Sequence, residues 1–261
     1  MIGEFLEGVR NVYDLAQPYF IGMPHHPVHP PYTFSLVKKH GDYVGPGGVS
    51  SASEAIGFGG HVGTHIDALC HFSCGGLLHD GTEAAKVQSY AFGVEKLNVT
   101  EVKPVIRRGV LLDVARAVGV DELPVDFEIT PEHLEKAQKA EVRKGDVVLI
   151  RTGWARYWSD PVKYIAQVKG PGPRIAGARW LSERGVFAAG SDTVAFEYVP
   201  DHGMPVHVHL LVEHGVHIIE CLNMESIAEA GLAEFLFFAA PLRIEGGTGS
   251  PIRPVAIELA K

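Results

Sequence analysis

The chain has 261 residues, of which 46% are hydrophobic and 21% charged, with a formal net charge of −8 and three cysteines. This composition is typical of a globular protein in water, and the negative charge argues against a nucleic-acid-binding surface. The longest apolar stretch, residues 235–242, is too short to cross a bilayer, so we expect no membrane partner. The odd number of cysteines and the lack of a secretory signal pattern favour reduced thiols and a cytoplasmic protein.

The first predicted regions along the chain are irregular ones. Residues 1–30 are predicted to form an N-terminal arm, because the stretch 24–31 is rich in proline and histidine. Residues 41–60 are rich in glycine and serine and predict an extended or hairpin region. Strands are predicted for six later stretches that are rich in β-branched or aromatic residues. These stretches are residues 110–113, 147–151, 186–189, 216–221, 234–244 and 255–259.

Three helices are predicted between these strands. Thr130 before Pro131 is typical of an N-cap and a first helical position, and the helical pattern continues to about residue 142. Residues 174–184 have apolar residues at helical spacing before Gly185, and residues 205–214 end in the same way at Gly215. Because the early hairpin and the late run of strands interrupt the strand–helix alternation, we predict a single mixed α/β domain over residues 1–261.

A dense group of metal-ligand residue types lies within residues 61–72, namely His61, His65, Asp67 and His71. Imidazole nitrogens and a carboxylate oxygen suit Zn²⁺, Mn²⁺ or Fe²⁺. If the segment is extended, these four residues have the same parity and their side chains lie on one face. A polar strand face with core histidines is the alternative, but four ligand-type residues at this spacing favour a metal site with a proton carrier beside it.

A second group of histidines lies near the other end of the chain, in residues 202–217. In a regular helix His207 and His214 share a face while His209 points elsewhere, so only one of His207 and His209 can readily reach a common site. His202, His214 and His217 are expected to be surface or helix-end residues. Alternation along the following strand places Glu220 on an apolar face, where a carboxylate is costly unless it is paired or metal-bound.

Several other residues are weaker candidates for a functional role. Asp192 and Glu197 are candidates for shaping a pocket, although an ordinary turn explains them equally well. Cys70 and Cys74 are expected to be packing residues, because nothing in the sequence indicates a lowered thiol pKa. No glycine-rich nucleotide-binding motif is present.

The run from His61 to His71 resembles the His-x-Gly-Thr-His-x-Asp-x-Pro-x-His motif of the cyclase family, which includes bacterial kynurenine formamidases and isatin hydrolases. It departs from that motif at Leu69, where the family has proline. Residues 22–24, 151–154, 190–193 and 246–254 are also similar to segments of the family. The resemblance covers most of the chain, from about residue 10 to residue 259.

The resemblance implies a fold and an activity. The fold would be a mixed, barrel-like β core flanked by helices, of the swivelling β/β/α type. The activity would be metal-dependent hydrolysis of a small aromatic or cyclic amide, that is a formamide, lactam or imide. A metal-binding cyclase- or dehydratase-like protein without hydrolytic activity is the alternative. The implied cofactor is Zn²⁺ or Mn²⁺, with one or two ions per subunit, in a homodimer or homotetramer.

The resemblance also implies roles for individual residues. His61, His65 and Asp67 would hold the metal. His207 and Glu220 would complete a second metal position or its surroundings, with His209 as the alternate to His207. His71 would carry a proton from water to the leaving nitrogen, and a ligand of a second metal is the alternative role for it.

Overall fold

The computed structural model describes residues 2–200 and 203–260. Its strands, in chain order, are β1 (Val9–Asp14), β2 (Thr33–Lys38), β3 (Ser53–Gly57), β4 (His65–Asp67), β5 (Gln88–Ser89), β6 (Gly93–Val94), β7 (Val105–Asp113), β8 (Glu128–Ile129), β9 (Val147–Arg151), β10 (Gly172–Pro173), β11 (Ala188–Ser191), β12 (His217–Glu220), β13 (Glu234–Ala239), β14 (Gly249–Pro251) and β15 (Val255–Leu259). Its α-helices are α1 (Ile2–Glu7), α2 (Val114–Val118), α3 (Pro131–Ala137), α4 (Pro161–Ile165), α5 (Ile175–Glu183), α6 (Pro205–His207) and α7 (Glu225–Glu229).

A curled nine-stranded sheet organises the domain, with the strand order β1-β15-β13-β7-β9-β11-β12-β4-β14. The four central strands β7, β9, β11 and β12 run parallel to one another, and the strands on either side pair antiparallel. The prediction of a single α/β domain with a mixed, barrel-like β core and flanking helices is therefore confirmed.

The central strands are buried on both faces. Along β7 and β9, neighbouring residues alternate between two hydrophobic cores, so that Leu112 and Ile150 lie in one core while Leu111 and Leu149 lie in the other. The first core is covered by residues of α2, α3 and α5, and the second by α7 together with β13 and β15. Because successive side chains point into different cores, both faces of each strand need apolar residues. These strands therefore have continuous apolar runs rather than an alternating pattern.

Two of the predicted elements are shorter in the structure. The helix that begins at Pro131 ends at Ala137 rather than near residue 142, because Gln138 has an extended backbone and bridges to Leu112 of β7. The last long strand ends at Ala239 rather than residue 244, where Pro241 follows and has no N–H to donate to a neighbouring strand.

The helix predicted for residues 205–214 changes character along its length. A single turn, α6, is followed by a π-helix over Val208–Glu213, in which the N–H of His214 donates to the carbonyl of His209 at 3.2 Å. The wider turn changes which side chains are neighbours, because residues five apart now stack. The prediction that His207 and His214 share a regular helical face is therefore wrong.

Residues 2–60 contain three strands, β1, β2 and β3. Within the predicted arm, β1 pairs with β15 at one edge of the large sheet. A separate hairpin is formed by β2 and β3, and residues 24–31 between β1 and β2 have no regular structure. Nowhere in residues 2–200 and 203–260 is a helix long and apolar enough to span a membrane.

Candidate metal centre

Two adjacent strands bring the central residues of the site together. In β4, His65 and Asp67 are two residues apart and therefore share a face. The neighbouring strand β12 pairs antiparallel with β4 so that Glu220 lies opposite His65. Only residues 65–67 of the first histidine run form a strand, and the flanking residues 60–64 and 69–71 are turns and bends. The predicted one-face arrangement thus holds for His65 and Asp67, whereas His61 and His71 reach the site through turns.

The turn before β4 depends on Gly63. Its φ of +74° lies in the left-handed region, where residues other than glycine are strained. A Cβ at this position would also collide with the ring of Tyr19, whose hydroxyl donates to the carbonyl of Val62 at 2.7 Å. Backbone conformation and close packing therefore both require glycine here, and they fix the entry into the strand that carries His65.

His65 shows the clearest indication of a cation site. Its Nδ1 donates to the carbonyl of Gly63 at 2.8 Å, which leaves the lone pair of neutral imidazole on Nε2. That nitrogen lies 3.5 Å from Asp67 Oδ1 and 3.4 Å from Glu220 Oε2. Among the described residues, His65 Nε2 and Asp67 Oδ2 are buried atoms without a hydrogen-bond partner. A cation bound between these acceptors would satisfy them, so the donor set fits a divalent metal.

His207 approaches the same place from the opposite side. Its Nδ1 donates to Glu197 Oε1 at 2.6 Å, and its Nε2 lies 3.3 Å from Glu220 Oε1 and 4.0 Å from Asp67 Oδ2. A carboxylate that binds the far nitrogen of a histidine is typical of metal-ligating imidazoles. His209 instead points toward Ser182, so His207 is the histidine of this helix that lies at the centre.

His61 and His71 complete the cluster. His61 Nδ1 donates to Asp67 Oδ1 at 2.7 Å, while the other ring nitrogen lies 2.8 Å from the hydroxyl of Thr248. The ring of His71 stacks on that of His61 with centroids 3.8 Å apart. Two potential ligand groups result, His61–Asp67–His71 and His65–Asp67–Glu220, and within each the ligand atoms lie within 4.8 Å of one another. Asp67 belongs to both groups.

Burial and charge together set the protonation of the two carboxylates. Burial alone would raise the pKa of Asp67, but the nearby His71 and His61 outweigh it and hold this pKa well below its usual value. Burial would also raise the pKa of Glu220, but hydrogen bonds with His207 and His65 outweigh burial and lower this pKa to about 2. Both carboxylates are therefore ionised near neutral pH and available as ligands.

The histidines divide into two kinds. Burial lowers the pKa of His65 and of His207, but contacts with carboxylates outweigh burial and raise both pKa values to about 10. Without a metal both rings are therefore protonated near pH 7. A divalent cation would replace these protons and leave each ring as a neutral imidazole ligand. For His71, burial dominates and lowers the pKa to about 3, with a further contribution from His61. His71 is therefore neutral near pH 7.

Three contributors to the site were not identified from the sequence as its neighbours. Thr248 comes from the glycine-rich segment before β14, and the sequence indicates Glu197 only as a candidate pocket residue. His29, from the irregular segment 24–31, stacks on His61 with centroids 5.1 Å apart and lies 6.5 Å from His71. Its pKa is lowered to about 4, chiefly by burial and then by His61. The only sequence signal for His29 was the concentration of histidine and proline around it.

The remaining candidates lie outside the cluster. The expectation that His217 is a surface or helix-end residue is wrong, because it is buried in β12 and its Nδ1 donates to the backbone carbonyl of Asp67 at 2.9 Å. Asp192 accepts hydrogen bonds from the backbone of Thr152 and Gly153 and has a structural role. His202 lies outside the described residues.

Cys70 and Leu69 have packing roles, whereas the prediction that Cys74 is a packing residue is wrong. Burial raises the pKa of the Cys70 thiol to about 12, in agreement with a packing residue, while Cys74 is exposed. Leu69, the residue that departs from the family motif, packs against the core beneath the helices. This residue therefore contributes apolar contacts at the position where the motif has proline.

We predict that Gly249→Ala weakens metal binding at least about tenfold, a loss typical of disturbing a metal's supporting shell. A Cβ at Gly249 would lie 2.5 Å from His61 Cε1 and 2.9 Å from its Nδ1, so the ring must move. Metal content after dialysis against graded chelator measures the effect. Gly170→Ala is the control, because its Cβ would meet only Thr193 Cγ2 at 4.0 Å. Equal metal retention in both variants would contradict the prediction.

Comparison with known proteins identifies the family to which the chain belongs. The family model described as putative cyclase matches residues 13–198, and the chain belongs to this family. The predicted resemblance is thus confirmed.

Particular relatives have named activities. Isatin hydrolase of Roseibium aggregatum is 28% identical over 210 residues, which are 76% of this chain and 72% of the relative. Kynurenine formamidase of Bacillus thuringiensis is 25% identical over 198 residues, 75% of each chain. A crystal structure described as a novel cyclase superimposes with a TM-score of 0.88 at 30% identity, covering 98% of this chain and 90% of the other.

Proposed function

We propose that the protein is a metal-dependent hydrolase that cleaves the C–N bond of a small aromatic or cyclic amide. The observation that carries this proposal is the buried cluster around Asp67, in which His65 Nε2 and Asp67 Oδ2 lack hydrogen-bond partners among the described residues. The names of two relatives, an isatin hydrolase and a kynurenine formamidase, support the same bond type.

The metal would be held by the residues that surround Asp67. His61, His65 and Asp67 would bind one ion, and His207 and Glu220 would complete a second position or the surroundings of the first. Imidazole and carboxylate ligands suit Zn²⁺ or Mn²⁺, with one or two ions per subunit. When bound, such an ion lowers the pKa of a water ligand and polarises a carbonyl group. Glu197 and Thr248 would orient His207 and His61 through the hydrogen bonds described above.

His71 is suited to move the proton. Its ring is neutral and no described residue forms a hydrogen bond with either of its nitrogens, so both nitrogens are free for water and substrate. We propose that it accepts a proton from the attacking water and delivers it to the amide nitrogen as the C–N bond breaks. The products are then a carboxylic acid and an amine, or a single opened chain when the amide is cyclic.

The surroundings of His71 favour a flat substrate. The ring of Phe72 lies 4.9 Å from the His71 ring and 4.9 Å from the His207 ring, measured between centroids. The ring of His29 also stacks on that of His61, with centroids 5.1 Å apart, and adds another planar surface. Aromatic side chains at such distances stack favourably with a further ring, which supports an aromatic or cyclic amide over an aliphatic one.

One experiment tests this function. The purified protein is analysed for bound metal and then assayed against formylated aromatic amines, isatin-like lactams and cyclic imides, before and after chelation. We expect turnover of at least one class that chelator abolishes and added Zn²⁺ or Mn²⁺ restores. Absence of metal, or turnover that chelator does not affect, would contradict the proposal. Bound metal without turnover of any amide would favour the non-hydrolytic, cyclase- or dehydratase-like alternative.

We also propose that the protein is a homodimer or homotetramer assembled through the β2–β3 hairpin. Phe34, Leu36 and Ile56 lie on one face of this hairpin and are 39%, 52% and 53% exposed. An isolated two-stranded hairpin is marginally stable in water, and a contiguous apolar face is typical of an interface.

We predict that the double variant Leu36→Ser/Ile56→Ser has a lower molar mass in light scattering, approaching that of one chain, because the apolar face is lost. Metal content should not change. Val162→Ser, which replaces an exposed apolar residue on α4, is the control and should leave the mass unchanged. An unchanged mass in the double variant would argue against this interface.

A further inference from the structure

The π-helix after α6 creates a second group of ligand-type side chains. Because the N–H of His214 donates to the carbonyl of His209, one wide turn separates these residues and their side chains lie on the same side. Their ring centroids are 4.2 Å apart. Glu213 directly precedes His214 in the sequence, and its Oε2 is 2.8 Å from His209 Nδ1. In a regular α-helix, residues 209 and 214 would not be stacked in this way.

The side chain of His209 is fixed in position by burial and by a contact with Ser182. It is buried, and its Nε2 lies 2.9 Å from the hydroxyl of Ser182 on α5. That hydroxyl also donates to the carbonyl of Arg179 at 3.2 Å. A hydroxyl has one proton, so when it is given to Arg179 the imidazole donates from Nε2. The lone pair on Nδ1 then faces the carboxylate of Glu213, and either a proton or a metal ion between these two acceptors satisfies both.

We propose that His209, Glu213 and His214 bind a divalent transition-metal ion such as Zn²⁺ or Ni²⁺, at a site separate from the centre around Asp67. One ligand atom from each of the three residues lies within 4.8 Å of the others. Two imidazoles and a carboxylate suit these ions. His209 is the fixed ligand, oriented by Ser182, while Glu213 and His214 are exposed and can adjust around the ion at little cost.

The two groups of ligands point in different directions from one helix. His207 is bound to Glu197 and faces Glu220, whereas His209 faces α5 through Ser182. An ion at the second site would link residues 209 and 214 and so hold the π-helical turn that directly follows His207. Because the ion binds the folded turn, its presence should raise the unfolding temperature.

Metal counting tests this site. Untagged wild-type protein, His214→Gln, Glu213→Gln and His40→Gln are dialysed to equilibrium against increasing Zn²⁺, and bound ions per chain are measured. His40 is an exposed histidine on the connection between β2 and β3 and serves as the matched control. We expect His214→Gln and Glu213→Gln to bind one ion fewer per chain, or to bind that ion at least about tenfold more weakly, than wild type and His40→Gln.

Thermal unfolding with Ni²⁺ gives a second readout. The rise in unfolding temperature that Ni²⁺ produces should be larger for wild type and His40→Gln than for the two site variants. Equal Zn²⁺ stoichiometry and equal Ni²⁺ shifts in all four proteins would overturn the proposal. Because Glu213 and His214 are exposed, their replacement should leave the fold intact, which circular dichroism checks. The difference between wild type and variants does not depend on how many ions the centre around Asp67 holds.

Discussion

Asp67→Asn is expected to remove the tightly bound metal and to lower kcat/KM for amide hydrolysis by at least about 10³-fold. Disturbing groups that only support metal ligands already costs about 10- to 100-fold, and a shared ligand should cost more. Asp67 is the one residue common to the two ligand groups, and its Oδ1 accepts a hydrogen bond from His61. Asparagine has nearly the same shape but lacks the negative charge and one acceptor oxygen. The expected losses of metal and of kcat/KM would therefore result from the loss of a metal ligand and not from altered packing.

Metal per chain, measured by mass spectrometry after gel filtration, and turnover with added Zn²⁺ or Mn²⁺ check this prediction. Asp192→Asn is the matched control, because Asp192 is also a fully buried aspartate but binds the backbone of Thr152 and Gly153. The control should lose stability, by about 1–3 kcal/mol for an unsatisfied buried group, and should retain its metal. A fully metal-loaded and active Asp67→Asn protein would show that the cluster is not the catalytic centre.

The parts of the structure that were predictable from sequence are those set by local periodicity. Continuous apolar runs such as 147–151 identify strands buried on both faces, and β9 has those bounds. Gly185 and Gly215 were predicted as helix ends, and both have a φ of +64°. The ligand types between residues 61 and 71 also pointed to a common site, although only His65 and Asp67 meet there because of strand geometry.

The parts that were not predictable depend on tertiary contacts. Thr248 binds His61 across 187 positions of sequence, and no local pattern connects them. His29 reaches the site because the irregular segment folds over His61, which periodicity cannot indicate. The π-helix is a third example, since its sequence has the apolar spacing of an α-helix and the change of pitch appears only in the hydrogen bonds of the folded chain.

His71→Ala is expected to lower kcat by about 10²- to 10⁴-fold, the usual contribution of a general acid–base residue, while metal content stays at the wild-type level. The ring of His71 stacks on that of His61, and no described residue forms a hydrogen bond with either of its nitrogens. A neutral imidazole beside the metal ligands can take the proton of water and pass it to the leaving nitrogen. Its removal should therefore slow the chemical step without releasing the ion.

The same variant separates the two roles that the geometry allows, because His71 also lies within 4.8 Å of His61 and Asp67 as a potential ligand. If His71 carries the proton, added imidazole should restore part of the activity of His71→Ala, since the vacated space beside His61 matches a planar ring. Asp67→Asn should not be rescued in this way. Loss of metal from His71→Ala, with no rescue by imidazole, would instead identify His71 as a ligand. The proton would then have to be carried by another group at the site, and His29, the other imidazole stacked on His61, would be the first to replace.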